Sequence, residues 1–279
     1  MIFYVNGKFL KEKEAKISVY DLGLLRGYAV FDFLRTYNQK PFYLDDHLKR
    51  LLNSAKLIDI KHNYSLNFLK KKVVQTLKRN IVQSKFVGEF NIRIILTGGN
   101  SYDFLTPSKP NLIIMVTPLK ELDERLYKKG GKLITKISER ILPQAKTIVY
   151  TSAVKFIKEA KRKGAIEVLL IDRDKRILEC TTSNFFAVMK GKLVTPPKDK
   201  ILPGITRKIV INLAKKLKIP IIERDIYFYE IKNFDEAFIT ASNKEILPIV
   251  QIDNFKINSE PGPITKALMD KFKKLTKNF

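Results

Sequence analysis

The sequence predicts an α+β fold in two units. Short apolar stretches alternate at period two, helical stretches are set between them, and a charged run near residue 120 interrupts the pattern. Successive strands are joined by tight turns, which favours antiparallel pairing over a doubly wound sheet.

Residues 2–10 read as a strand pair bent at Asn6-Gly7, and residues 29–37 as a strand that turns at Asn38-Gln39-Lys40 into a short strand at 41–44. A helix is expected from Asp45, with that aspartate as its cap and Leu48, Leu51, Leu52 and Ala55 at helical spacing. A second helix spans residues 66–82, and strands at 88–97 and 111–117 complete the first unit. Between those strands, residues 98–110 hold Gly98, Gly99, Pro107 and Pro110 and are expected to form a mobile loop. The expected division is a small α+β domain over 1–119, a linker or single helical turn over 120–129, and a larger α+β domain over 130–279. In the second unit, strands are expected at 131–137, 166–171, 177–180 and 184–189, with further strands near 220, 238 and 247. Its helices are expected at 151–163, 205–217 and 263–275.

The chain of 279 residues carries 53 Lys and Arg against 28 Asp and Glu, a formal charge of +25. Its lysines, such as Lys70-Lys71-Lys72 and Lys215-Lys216, are spread over helices without interleaved aromatics, so a solvated surface that draws in acidic substrates is favoured over a nucleic-acid site. One cysteine, Cys180, and two histidines, His47 and His62, leave little for a metal centre, and none is expected. With no apolar run of membrane-spanning length and no leader pattern in residues 1–8, a cytoplasmic protein is expected.

Three segments carry chemistry. Lys146 follows the apolar Ile141-Leu142-Pro143, which places it at the end of a buried element, where desolvation favours the neutral, nucleophilic amine. Taken singly, it is one of many lysines and reads as a surface residue. Glu179 follows Ile177 and Leu178 on a strand and faces away from Leu178. It can hold a protonated ring nitrogen, or it can be an edge glutamate paired with Arg176. Pro203-Gly204-Ile205-Thr206 opens a helix, and free amides, a hydroxyl and a positive dipole end suit a phosphate; an ordinary helix cap has the same pattern. An amine, an anion and a phosphate turn together suit pyridoxal phosphate.

The order of these segments resembles the class IV, or fold-type IV, pyridoxal phosphate aminotransferases, over nearly the whole chain. The resemblance is carried also by Arg26-Gly27-Tyr28-Ala29-Val30-Phe31-Asp32, Leu44-Asp45-Asp46-His47-Leu48-Lys49-Arg50-Leu51 and Thr240-Ala241-Ser242-Asn243-Lys244-Glu245-Ile246-Leu247-Pro248. It implies a two-domain enzyme like the D-amino-acid aminotransferases, working as a homodimer with shared active sites. It further implies that Lys146 holds the cofactor aldehyde and that Glu179 partners the ring nitrogen. Arg50, the Gly204-Ile205-Thr206 turn and Ala241-Ser242 would take the phosphate. For Arg50 the sequence offers a competing surface pair with Asp46.

The typical D-amino-acid enzyme of this family has a tyrosine at the place of Phe31, an arginine near Gly98 and a histidine shortly after; this chain has none of them. Phe31 and Arg93 resemble the branched-chain enzymes, whose tyrosine is replaced here by Asn91. Asn91, Arg93 and Thr97 share a strand face, so Arg93 can point at a site. Arg26, at the entry to the Phe31 strand, can act in the site or from the other subunit, and Arg35 is a lower-ranked candidate. Two arginines that grip carboxylates suggest 2-oxoglutarate and glutamate. The expected activity is ping-pong transamination between amino acids and 2-oxo acids, with a D-amino-acid transaminase of the less usual type first. A branched-chain L-amino-acid aminotransferase, aminodeoxychorismate lyase and a non-catalytic basic binding protein follow as alternatives.

Overall fold

The computed structural model describes residues 1–84 and 86–279. The chain divides into two compact units: Met1–Lys120 with Ala145–Val149 and Phe279, and Glu121–Gln144 with Tyr150–Asn278.

The first unit holds β1 (Ile2–Val5), β2 (Lys8–Lys11), α1 (Leu22–Arg26), β3 (Ala29–Tyr37), β4 (Lys40–Pro41), α2 (Leu44–Leu57), α3 (Leu66–Gln83), β5 (Phe90–Thr97) and β6 (Leu112–Pro118). Its six-stranded sheet runs β2-β1-β6-β5-β3-β4, with every neighbouring pair antiparallel. The first hairpin turns at Asn6 and Gly7, both at positive φ, as a two-residue turn between right-twisted strands requires. Alternation along β3 sends Val30 and Leu34 into a core with Leu48, Leu51, Leu69, Val73 and Leu77 of the two long helices. Phe31 and Phe33 face the other way.

Asp32 lies on that core face without exposure. Its carboxylate accepts from Arg50 Nε at 2.9 Å and Arg50 Nη2 at 2.8 Å, and lies 2.6 Å from His47 Nδ1. The competing reading of Arg50 as a surface partner of Asp46 does not account for this buried pair, in which Arg50 points at the sheet. The expected cap is also corrected: α2 starts at Leu44 after Tyr43 in left-handed geometry, and Asp45 and Asp46 sit in its first turn, facing the positive end of the dipole. Residues 98–110 are bonded into the unit through Leu22 N to Gly99 O and Ser101 N to Tyr20 O, both at 2.9 Å.

The second unit holds α4 (Glu124–Lys129), β7 (Gly131–Ile137), α5 (Thr151–Arg162), β8 (Glu167–Ile171), β9 (Arg176–Cys180), β10 (Asn184–Met189), β11 (Lys192–Thr195), α6 (Ile205–Lys216), β12 (Ile221–Glu223), β13 (Ile226–Tyr227), β14 (Glu236–Ala241), β15 (Glu245–Ile252), β16 (Phe255–Lys256) and α7 (Pro263–Lys277). The sheet order is β12-β11-β10-β14-β15-β7-β8-β9-β13, with β16 paired to β15. Most pairs are antiparallel, but β7–β8 and β11–β12 are parallel, with α5 and α6 in the respective connections, and β15–β7 is parallel too. In the charged run, Asp123 caps α4 by accepting from Arg125 N. α7 is anchored by Glu236, whose carboxylate accepts from the amides of Ile264 at 3.0 Å and Thr265 at 2.7 Å.

Burial alone would raise the Asp32 carboxyl, but Arg50 and His47 outweigh it and hold it below the ordinary range, while burial pushes His47 down despite Asp32. Asp32→Asn should cost about 3–5 kcal/mol in urea unfolding, because it leaves a buried guanidinium without its anion. His47 has its pKa lowered by folding, so below the ordinary histidine value of 6.5 the unfolded chain binds the proton first and stability falls with pH. A His47→Gln variant should lose that acid limb between pH 7 and 5, read as a flatter profile of urea midpoints.

Candidate active site

In the first unit, Ala145–Val149 runs beside β3. Phe31 N donates to Lys146 O at 2.9 Å, Ile148 N donates to Ala29 O at 3.1 Å, and Val30 bridges Thr147. Ser54 Oγ of α2 accepts from Lys146 N at 3.0 Å. The lysine backbone is thus fixed from a strand and a helix. Its Nζ stands 4.7 Å from the Phe31 ring centre. The sequence expectation of a buried approach needs correction: Ile141 is 98% exposed and Leu142 45%, so β3 and α2 hold Lys146 rather than the apolar run before it.

Arg93 is exposed and stands across the ladder from Phe33, with its guanidinium carbon 5.4 Å from the Phe31 ring centre and 5.7 Å from that of Phe33. Phe31 therefore carries Lys146 and Arg93 against one ring. Arg26 is exposed at the end of α1 and donates to Leu25 O of its own turn at 3.0 Å. Arg35 is buried over Tyr37, 4.4 Å from its ring centre. Arg50 lies on the opposite face of β3, oriented by Asp32.

In the second unit, Glu179 is 4% exposed. One of its oxygens accepts from Asn184 Nδ2 at 3.0 Å and Leu202 N at 3.2 Å, and Arg140 Nε approaches the other at 3.5 Å. The solvent-edge reading with Arg176 does not hold, since Arg176 bonds Asp172 and Asp174 at 2.6 Å. Arg140 also donates to Thr181 O at 2.9 Å and stacks by Tyr150. Burial would lower the Arg140 guanidinium, but the Glu179 charge and Tyr150 raise it, so it stays a cation beside the carboxylate. Gly204 is the N-cap of α6 with no side-chain cap, and Ile205 and Thr206, both buried, are its first two residues. Ser242 follows Ala241 in the turn after β14, half-buried.

Beneath the Thr181–Asn184 turn, the carboxylate of Glu167 has no exposure and accepts from Thr181, Thr182 and Ser183 hydroxyls and from Lys244 Nζ at 3.0 Å. Burial pushes the Cys180 thiol well up, so it is no nucleophile. Sequence reasoning missed Asp32, Asn184, Arg140 and Glu167, whose partners lie on other elements; Asn184 and Asp32 stood inside quoted motifs without a role.

The second unit's donor set fits a phosphorylated pyridine. It offers uncapped amides at α6, a buried carboxylate set by two donors and the Arg140 cation, and the Thr240 hydroxyl, buried and without a hydrogen-bond partner among the described residues. Residues 29–252 match the family model for class IV amino-transferases. A Methanocaldococcus jannaschii protein provisionally named a branched-chain-amino-acid aminotransferase is 36% identical over 284 residues, covering 98% of this chain and 96% of its own. The D-alanine aminotransferase of Listeria innocua is 30% identical over 276 residues, covering 96% and 93%. The crystal structure of the T.th. branched-chain amino acid aminotransferase with pyridoxamine 5'-phosphate superposes at a TM-score of 0.91, with 26% identity and coverage of 99% and 94%. With the fold, the donor set and these matches in agreement, the chain belongs to the class IV aminotransferases, enzymes that transfer amino groups with pyridoxal phosphate.

Proposed function

We propose that this enzyme is a D-amino-acid transaminase of the less usual type, exchanging amino groups between D-glutamate and 2-oxo acids such as 2-oxoglutarate by a ping-pong route. The observation that carries it is Phe31 with Lys146 Nζ and the Arg93 guanidinium against its ring, which sets an amine and a carboxylate anchor by one side chain. The strong positive charge draws such diacids in. A branched-chain L-amino-acid aminotransferase is the second reading, favoured by the name of the 36% identical relative.

Pyridoxal phosphate supplies an aldehyde for the amino group and a ring that accepts the electrons left when the Cα–H bond breaks. In this reading Lys146 would hold the aldehyde and, freed as an amine once the substrate amino group takes its place, would accept the proton from substrate Cα. Glu179, held by Asn184 Nδ2 and Leu202 N and paired with Arg140, would hold the proton on the ring nitrogen. Arg50, the amides of Ile205 and Thr206 at Gly204, and Ala241 with Ser242 hold the phosphate. Arg93 orients the substrate carboxylate, with Arg26 a second anchor, from this subunit or its partner.

The enzyme is read as a cytoplasmic homodimer. An exposed apolar cluster in the first unit supports the dimer: Tyr20 and Tyr102 rings lie 5.1 Å apart, Tyr20 and Phe104 6.1 Å, beside exposed Val19, Leu24 and Leu105. Among the described residues no helix is long and apolar enough to cross a membrane.

Lys146→Ala should abolish the visible absorbance of bound cofactor and the activity; retention of both would sink the catalytic role. Mixed singly with holoenzyme, D-glutamate should convert the cofactor to its aminated form faster than D-alanine or L-leucine, and conversion by L-leucine alone decides for the second reading. Replacing Arg93 with alanine removes a charge-assisted contact of about 1.5–3 kcal/mol, so kcat/KM for 2-oxoglutarate should drop by roughly 10- to 150-fold. Sedimentation velocity should give twice the 32.3 kDa chain mass, and a monomer at micromolar concentration would refute the shared site.

A further inference from the structure

Asn184 opens β10 with its side chain buried, and both hydrogens of its amide are used. Nδ2 donates to Glu179 Oε2 at 3.0 Å and to Leu202 O at 2.9 Å, while Leu202 N donates to the same carboxylate oxygen at 3.2 Å. Glu179, Asn184 and the Leu202 peptide thus form a closed set of three bonds. Two residues on stands Gly204, where an added Cβ would collide with Asn184 Oδ1. Gly204 has φ −68°, which any residue adopts, so the glycine is required by the asparagine and not by its backbone. Asn184 itself is held in the sheet, paired across the ladder with Thr240.

We infer that Asn184 is a positioning residue that sets the spacing between the two ends of the cofactor. One side of its amide holds the carboxylate for the ring nitrogen, and the other seats the turn for the phosphate. The inference rests on the proposed roles of Glu179 and of the Gly204-Ile205-Thr206 turn. No other side chain of this size meets the demand. Aspartate would bring a second negative charge to Glu179 and lose both donated hydrogens, and leucine would leave Leu202 O and Glu179 without theirs.

The test compares three ligands on the full chain after removal of its cofactor: pyridoxal phosphate, pyridoxal, and the analogue with carbon in place of the ring nitrogen. Equilibrium dialysis gives two ratios of affinity, one for the phosphate and one for the nitrogen. In Asn184→Ala both ratios should fall at least fivefold, whereas Glu179→Gln should lower the nitrogen ratio alone. Gly204→Ala should lower both ratios in the wild-type background and change neither by more than twofold in the Asn184→Ala background, where the obstructing oxygen is gone. If Asn184→Ala fails to fold by circular dichroism, Gly204→Ala in the wild-type background decides by the same two ratios. A variant in which only one ratio moves, or neither, overturns the inference. A wild-type enzyme that binds the carbon analogue as tightly as pyridoxal phosphate overturns the role of Glu179 and the inference with it, an outcome visible before any Asn184 variant is made.

Discussion

A carboxylate taken out of water must find donors inside the protein, and this chain buries several. Asp32 ties β3 to α2 through Arg50 and His47. Asp21 ties α1 to β5 through Gly23 N and the Thr97 hydroxyl. Glu236 seats the start of α7, Glu167 gathers the Thr181–Asn184 turn with Lys244, and Glu179 joins β9 to β10 and to the approach to α6. Each is a junction between separate elements. The positions of Arg50, of the Ala241-Ser242 turn and of the α6 start follow from these junctions more than from apolar packing, which is non-directional.

Local pattern made much of the molecule legible. Helix and strand periodicity located β7, β10, α5, α6 and α7 to within a residue or two, because those segments have one buried face. What local pattern could not reach was the choice among partners. Asp46 lies four residues before Arg50 and is visible to local pattern, whereas nothing local marks Asp32, 18 residues away, as the buried partner that Arg50 meets where its helix packs on the sheet. Arg176 likewise chose Asp172 and Asp174 in its own turn and left Glu179 to Asn184. The parallel joins β7–β8 and β11–β12 were hidden because a crossover through a helix leaves no mark in strand alternation. Ile141 and Leu142 misled because apolar content was read as burial, although exposed apolar residues are common on folded surfaces.

The two faces of β3 carry different sets of charged partners. The core face of β3 carries Asp32 and through it Arg50, whereas the opposite face carries Phe31 beside Lys146 and Arg93. A substitution at Phe31 or Arg93 leaves the buried triad untouched, so one side of the strand can diverge without loosening the other. Period-two geometry gives such independence without any added element.

The five residues Ala145–Val149 cluster with the first unit, whereas the chain on either side of them belongs to the second. The first unit is therefore not a contiguous stretch of the gene. Recombining the region before Lys120 between relatives would transplant β3 without the segment that pairs with it. A functional chimera of this enzyme needs a second crossover around residues 145–149, and its lysine must travel with the strand it is stitched to rather than with its neighbours in sequence.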